Sequence, residues 1–261
     1  MDLGIHNKVA LVMGAGGGLG GAIAKTLAKE GAKIVVADIN PDALASIESA
    51  LKSAGAEVLA LQWDLSDLSV IDGNIAAIES HFGAVDILVN NTGGPPPTPA
   101  FGQPSEVWSK NFQLMVLSVI AITDRVLPSM RERNWGRIIT STSSGVVAPI
   151  ANLGISNALR LSLVGWSKTL SREVAREGVT ANVILPGRIS TDRIRFLDEA
   201  KAKREGRDVN DVSAQSTESI PVGRYGTPQE YADVVAFLAS ANASYVTGTV
   251  QRVDGGLLAN I

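Results

Sequence analysis

Two places in this sequence gather residues able to do chemistry. The first is Gly14, Ala15, Gly16, Gly17, Gly18, Leu19, Gly20, which follows a β-branched run and opens into a stretch of helical period. A helix N-terminus free of side chains lets backbone N–H groups approach a pyrophosphate closely, so this spacing points to a dinucleotide. Asp38 stands 18 residues beyond Gly20, at the end of the next β-branched run. There a carboxylate accepts hydrogen bonds from the adenosine ribose hydroxyls and repels a 2′-phosphate, which favours NAD over NADP. Gly17, Gly18, Ile39, Asn40 and Pro41 bring no cation to offset it. The other reading of Asp38 is an N-cap or turn residue before the next helix. The second place is Thr140, Ser141, Thr142, Ser143 and Ser144, five hydroxyls in a row where a strand ends. Alternate ones point the same way. With Asn91, Asn157, Arg160 and Arg188 they make a polar, cationic pocket suited to a substrate with a carboxylate, a phosphate or several hydroxyls.

The elements that must position these groups follow from hydrophobic rhythm. Continuous β-branched runs recur at Val9–Val12, Ile34–Ala37, Val58–Leu61, Val85–Val89, Arg137–Thr140, Val179–Leu185 and Val250–Val253, the pattern of buried parallel strands. Between them lie helical spacings such as Leu19, Ile23, Leu27, or Leu44, Ile47, Leu51, or Ile71, Ile75, Ile78, Phe82. Alternation of this kind needs right-handed crossovers and builds a Rossmann-type α/β fold: a doubly wound, mostly parallel seven-stranded sheet with helices on both faces. One domain spans residues 1–261. Pro95, Pro96, Pro97 and Pro99 stiffen the loop after the fourth strand, and residues 192–222 insert a polar, partly helical stretch. Both insertions begin at strand C-terminal ends, where ligands sit in an open sheet, and the second reads as a lid. Its mixed charges are also compatible with a solvated helix. Leu153 to Val174 and Trp108 to Met130 read as long helices apolar on more than one side, which implies a second packing partner.

Composition narrows the function. The 261 residues are 45% hydrophobic and 19% charged, with 23 Lys plus Arg against 26 Asp plus Glu and a net charge of −3. That lacks the basic surplus a nucleic-acid partner requires. With no cysteine there is no disulfide or thiolate site, and His6 and His81 are too separated to suggest a metal centre. The apolar stretch from Val9 to Ala24 is broken by glycines, and no window holds the roughly 18 uninterrupted apolar residues of a membrane span. The expectation is a cytoplasmic protein with no membrane partner and no metal.

These residues also carry a family resemblance. Over essentially its whole length the sequence resembles the short-chain dehydrogenase/reductase family, of the single-domain type similar to 3-oxoacyl-carrier-protein reductases. Gly14, Gly18 and Gly20 fit its glycine motif, Asp64 its adenine-positioning acid, and Asn90, Asn91, Thr92, Gly93 its Asn-Asn-Ala-Gly turn. Pro186, Gly187 and Thr191 resemble the segment that contacts the nicotinamide amide, and Asp254, Gly255, Gly256 the C-terminal signature. The resemblance implies cofactor contacts from Gly14, Gly16, Gly17, Gly18, Leu19, Gly20, Asp38, Asp64, Leu65, Asn91, Thr92, Gly93, Arg160, Pro186, Gly187, Ile189 and Thr191. It implies interconversion of a ketone and a secondary alcohol. It also implies a homotetramer built on a four-helix interface, with a further contact from Val250 to Ile261.

At the catalytic positions the sequence departs from the family. The resemblance places Ser143 at the carbonyl-binding serine, but Ser156 stands where the general acid/base tyrosine is expected and Arg160 where the lysine is expected. Leu163, Gly165, Trp166, Ser167 and Lys168 hold the register. Tyr225, Tyr231 and Tyr245 are followed four places later by Gln229, Val235 and Thr249, so no Tyr-x-x-x-Lys exists. The relay asparagine is replaced by Met115, with Asn111 one helical turn earlier. A tyrosine starts near a pKa of about 10 and is tunable towards neutrality, whereas a serine is a far weaker acid and a guanidinium a poor proton donor. Three readings stay open. One is an NAD-dependent oxidoreductase with a relocated proton source, using Ser143, Ser156 and Arg160. The second is an NAD-binding non-redox enzyme whose anionic substrate is held by Arg160 or Arg188. The third is a catalytically inactive regulatory or subunit protein.

Overall fold

The structure, a computed structural model, describes residues 2–260; of the expected C-terminal contact segment, Ile261 lies outside the described residues. Seven strands form one sheet: β1 Val9–Met13, β2 Lys33–Asp38, β3 Val58–Gln62, β4 Ile87–Asn90, β5 Gly136–Ser141, β6 Val179–Pro186 and β7 Val250–Val253. Their order is β3-β2-β1-β4-β5-β6-β7 and every pairing is parallel, where the sequence pattern left room for an antiparallel member. The order reverses between β1 and β4, and in an open α/β sheet ligands sit in the crevice beyond the strand ends at such a point.

Alternation along each strand divides the core. Ala10 and Val12 of β1 face one layer of helices, α1 (Gly18–Lys29), α2 (Pro41–Ser53) and α9 (Pro228–Ala239), with Ile23, Leu27, Ile47 and Val235 buried among them. Val9, Leu11 and Met13 face the other layer, α3 (Ile71–Phe82), α5 (Ser118–Glu132) and α6 (Gly154–Val174), against Ile75, Ile122, Val126 and Leu170. Helices cover both faces of the sheet centre, so β1 and the interior of β2 are apolar and buried throughout.

The stretch expected as one helix from Trp108 to Met130 is α4 (Ser105–Phe112), a π-helical turn at Gln113–Leu117, and α5. By length and composition, Ser105–Glu132 could cross a membrane. One side of it is used inside the protein, while Phe112 and Leu117 remain exposed. Met115, Val119, Ile122, Val126 and Met130 are buried, and Arg125 pairs with Asp72 and Glu79 of α3. Residues 192–222 fold as α7 (Asp192–Glu205) and α8 (Val209–Glu218) over the C-terminal edge of the sheet.

Candidate active site

The turn between β1 and α1 is shaped by its glycines. Gly14 (φ +59°) and Gly18 (φ +53°) take left-handed conformations that side-chain-bearing residues rarely adopt. A Cβ on Gly20 would lie 2.1 Å from the Gly14 carbonyl oxygen, and one on Gly14 would lie 2.8 Å from Asn91. The turn is thus clamped against α1 below and β4 beside it, where the Asn91 amide donates to the carbonyls of Met13 and Gly14. Gly17, by contrast, has nothing within 4 Å of its Cβ position, and α1 begins there with no side-chain cap. An uncapped helix N-terminus behind an open glycine is a cradle that fits a dinucleotide pyrophosphate.

Asp38 ends β2 beside this cradle. Its Oδ2 accepts the Gly16 N–H at 2.9 Å and its Oδ1 accepts the Asn40 N–H at 3.0 Å. The cap of α2 is Asn40, which accepts from Asp42 and Ala43, so the N-cap reading of Asp38 is corrected. Asp64 is exposed beyond β3 and takes both Ser66 groups on Oδ1, while Leu65 packs on the second core layer. Beyond β6, Gly187 passes so close to Asp254 that a Cβ would lie 2.6 Å from its Cα. Thr191 caps α7 through the Ile194 N–H, and its methyl lies 3.6 Å from the Cβ position of Gly18. Ile189 is 3% exposed and packs over Gly226, so its side chain serves the core.

At the end of β5, Ser143 is extended, and its Oγ accepts the Gly145 N–H at 3.1 Å. That leaves the hydroxyl proton to donate. Ser156 sits in the first turn of α6, buried, with no hydrogen-bond partner among the described residues. One turn on, Arg160 is 8% exposed and reaches across to three carbonyls: Ser141 at 3.3 Å, Thr92 at 3.1 Å and Gly93 at 3.0 Å. It staples α6 to the ends of β4 and β5. Burial and the neighbouring Arg193 guanidinium push its pKa down to about 10, so it stays charged at neutral pH.

Other members of the expected pocket are spent elsewhere. Arg188 forms an ion pair with Asp198 at 2.5 Å, which in turn accepts the Tyr225 hydroxyl at 2.7 Å. Asp198 and Tyr225 line a cavity of about 430 Å³ together with Ser190, Thr191 and Ser213 among others. Arg188 as an anion holder is therefore corrected: its carboxylate is already supplied by the chain. Asn157 donates to Ile150, and Asn111 donates one amide hydrogen to Val107 in its own helix, which leaves it a second N–H and its Oδ1. Met115 lies fully buried in the π-turn. The hydroxyls diverge as strand alternation requires: Ser141 bonds Tyr231 at 2.8 Å on the α9 side, away from α6.

None of the tyrosines substitutes for the missing acid. Tyr231 is fully buried and burial pushes its phenol up. Tyr225 is held up by burial and by its bond to Asp198. Tyr245 is wholly exposed on the loop before β7.

Two residues that sequence reasoning passed over belong to the site. Arg193, read as part of a solvated charged helix, is half-buried and donates to the Pro95 carbonyl at 2.7 Å. Gly94 lies under its guanidinium. The extra glycine before the proline run was the available signal.

Comparison with known proteins follows this geometry. Residues 14–258 match the family described as enoyl-(acyl carrier protein) reductase. The chain is 37% identical over 257 residues to the 3-oxoacyl-[acyl-carrier-protein] reductase of Escherichia coli K12, covering 98% of this chain and 99% of that protein. It superposes on L-sorbose reductase from Gluconobacter frateurii, complexed with NADPH and L-sorbose, with a TM-score of 0.94, 33% identity and full coverage of both chains. It also superposes on an NAD+-bound xylitol dehydrogenase with a TM-score of 0.90 and 28% identity, covering 97% and 99%. The chain belongs to the short-chain dehydrogenase/reductase family of nicotinamide-dependent oxidoreductases.

Proposed function

We propose that this protein interconverts a carbonyl and a secondary alcohol on a polar or anionic small molecule, with NAD as its cofactor. The observation that carries the reading is the open β1–α1 turn with the Asp38 carboxylate bonded to Gly16 at its rim. Solved relatives on this scaffold carry NADPH more often than NAD+, so the residue at the ribose is what supports NAD here. Asp38 stands where a 2′-phosphate would come, with Ile39 and Asn40 beside it and no cation. Gly14 and Gly16 to Gly20 would hold the pyrophosphate, Asp64 the adenine, and Thr92, Gly93, Gly187 and Thr191 the nicotinamide half. When bound, the cofactor supplies or accepts a hydride.

The chain's own part is orientation, charge and proton supply. Ser143 donates a hydrogen bond to the carbonyl oxygen, and its bond from Gly145 fixes that hydroxyl. Arg160 adds positive potential from a buried position without giving up a proton. With Ser156 in place of a phenol, the proton in this proposal comes from a solvent water near Ser143 and Ser156. Apolar helix faces at Phe112, Leu117 and Leu161 and the exposed edge at Tyr245 and Val250 support assembly as a homotetramer.

The test is a fluorescence titration of concentrated protein with NADH, alone and then against oxo acids, keto sugars and acyl thioesters. Tight binding followed by substrate-dependent loss of NADH supports the proposal. NADH bound but never oxidised would mean a dinucleotide-binding protein without hydride chemistry.

A further inference from the structure

Eight arginines meet a carboxylate within the chain, Arg188 and Arg195 of the segment after β6 among them. Arg137, Arg172, Arg176 and Arg252 meet none among the described residues, and neither do two that stand close together beyond the strand ends. Arg160 and Arg193 have no carboxylate partner among the described residues, and they converge: their Nη2 atoms lie 3.6 and 3.2 Å from the same point, the place a Cβ on Gly94 would occupy. Gly94 has no positive φ, so its backbone tolerates a side chain. What its bareness provides is space at the guanidinium edges. Beside them the Thr92 Oγ1 is buried without a partner.

Like charges gathered out of water are costly unless a counter-charge joins them. Burial lowers the pKa of both groups, and at Arg160 the Arg193 charge adds to it. Neither is used up by its carbonyl contacts. Arg160 spends both Nη2 hydrogens on Thr92 and Gly93 and keeps its Nε–H and one Nη1–H, so over Gly94 it supplies charge, while Arg193 makes one bond, to Pro95, and keeps the rest of its donor fork. A guanidinium edge matches two anionic oxygens.

We infer that Arg160 and Arg193 form an anion subsite over Gly94 that takes a carboxylate or phosphate group of the substrate. The assignment rests on the oxidoreductase reading of the adjacent Ser143 pocket and names the substrate class of that site. Because Arg193 belongs to the lid helix α7 and Arg160 to the floor helix α6, the bound anion ties the lid to the floor.

The experiment is calorimetric titration of the NADH-loaded protein with malonate, inorganic phosphate and uncharged malonamide. It is run on wild type, Arg193→Gln, Arg193→Lys and Arg195→Gln, with thermal unfolding to confirm that each variant folds. The expected result is that malonate or phosphate binds at least about tenfold tighter than malonamide. Arg193→Gln weakens that binding by about tenfold or more, Arg193→Lys restores part of it, and Arg195→Gln, whose partner is Asp192, leaves it unchanged. Preference for malonate marks an oxo or hydroxy acid; preference for phosphate marks a phosphate monoester. Equal affinity for malonate and malonamide, or equal effects of the 193 and 195 variants, overturns the subsite. NADH oxidation separates the two readings. Arg193-dependent anion binding with no carbonyl ever reduced removes the redox reading and keeps the subsite. Reduction of neutral ketones as efficiently as of oxo acids does the reverse.

Discussion

Ser156 in place of a phenol removes an acid from the nicotinamide side, and Arg160 in place of an ammonium removes the group that would tune it. The guanidinium also does something a lysine does less well: its planar fork reaches three carbonyls at once. Restoring the pair by Ser156→Tyr with Arg160→Lys is expected to raise kcat about tenfold or more and to introduce a titration in the pH–rate profile between about pH 6 and 9. Steady-state rates across that range in wild type and variant check it, and an unchanged profile in the variant counts against water as the native proton source. The cofactor prediction rests on Asp38. Asp38→Ser combined with Ile39→Arg removes the repulsive carboxylate and supplies a cation, so the ratio of NADPH to NADH affinity should rise by at least about tenfold, read by fluorescence titration.

The elements that frame the site are fixed by local chemistry far from it. Helix α9 starts with a capping box: the Thr227 side chain accepts from Glu230 N–H while the Glu230 carboxylate accepts from Thr227. Thr227→Ala should cost about 1 kcal/mol in urea unfolding. The Arg224 guanidinium, with the Thr227 N–H, holds the Glu230 pKa down to about 2. A carboxylate whose pKa is lowered on folding stabilises the fold fully above its ordinary value near 4.5, and that contribution is lost as pH falls towards 2. Unfolding followed from pH 6 to pH 2 should therefore show an acid-dependent loss that Glu230→Gln diminishes. At the crevice, α7 is latched to the proline loop through Arg193 and Pro95. Trypsin cleavage within residues 192–211 should slow when NADH is present, and identical digestion with and without NADH would mean that this helix is not a lid.

Across the whole molecule, the centre of the sheet is sealed on both faces while apolar groups remain outside. Leu161 on α6 is 52% exposed, and Phe112 and Leu117 lie on the neighbouring helical run, also exposed. Strand β7 is an unpaired edge. Exposed apolar patches beside an open edge are the ordinary substrate of self-association. Sedimentation is expected to give a tetramer of the 27.2 kDa chain, and Leu161→Asp, which introduces a charge outside the monomer's own core, should shift it to smaller species without lowering helix content.

By itself the sequence determined the parts governed by local periodicity and turn chemistry. The seven β-branched runs became the seven strands with ends moved by one or two residues. Gly14 to Gly20 became the open turn: positive φ at Gly14 and Gly18 and close approach at Gly14, Gly16 and Gly20 call for glycine, while Gly17 stays open to the surface. The absence of Tyr-x-x-x-Lys was also plain from the letters. Tertiary structure alone decided which polar groups remain free. Arg188 looked as available as Arg193, but a buried aspartate ten residues on neutralises the first, and the second turns inward over Gly94. Asn111 gives one amide hydrogen to the Val107 carbonyl of its own helix, a contact that linear spacing does not announce. Pairing of this kind depends on side-chain direction and on contacts between residues dozens of positions apart, such as Arg160 with Thr92, and linear spacing does not encode either.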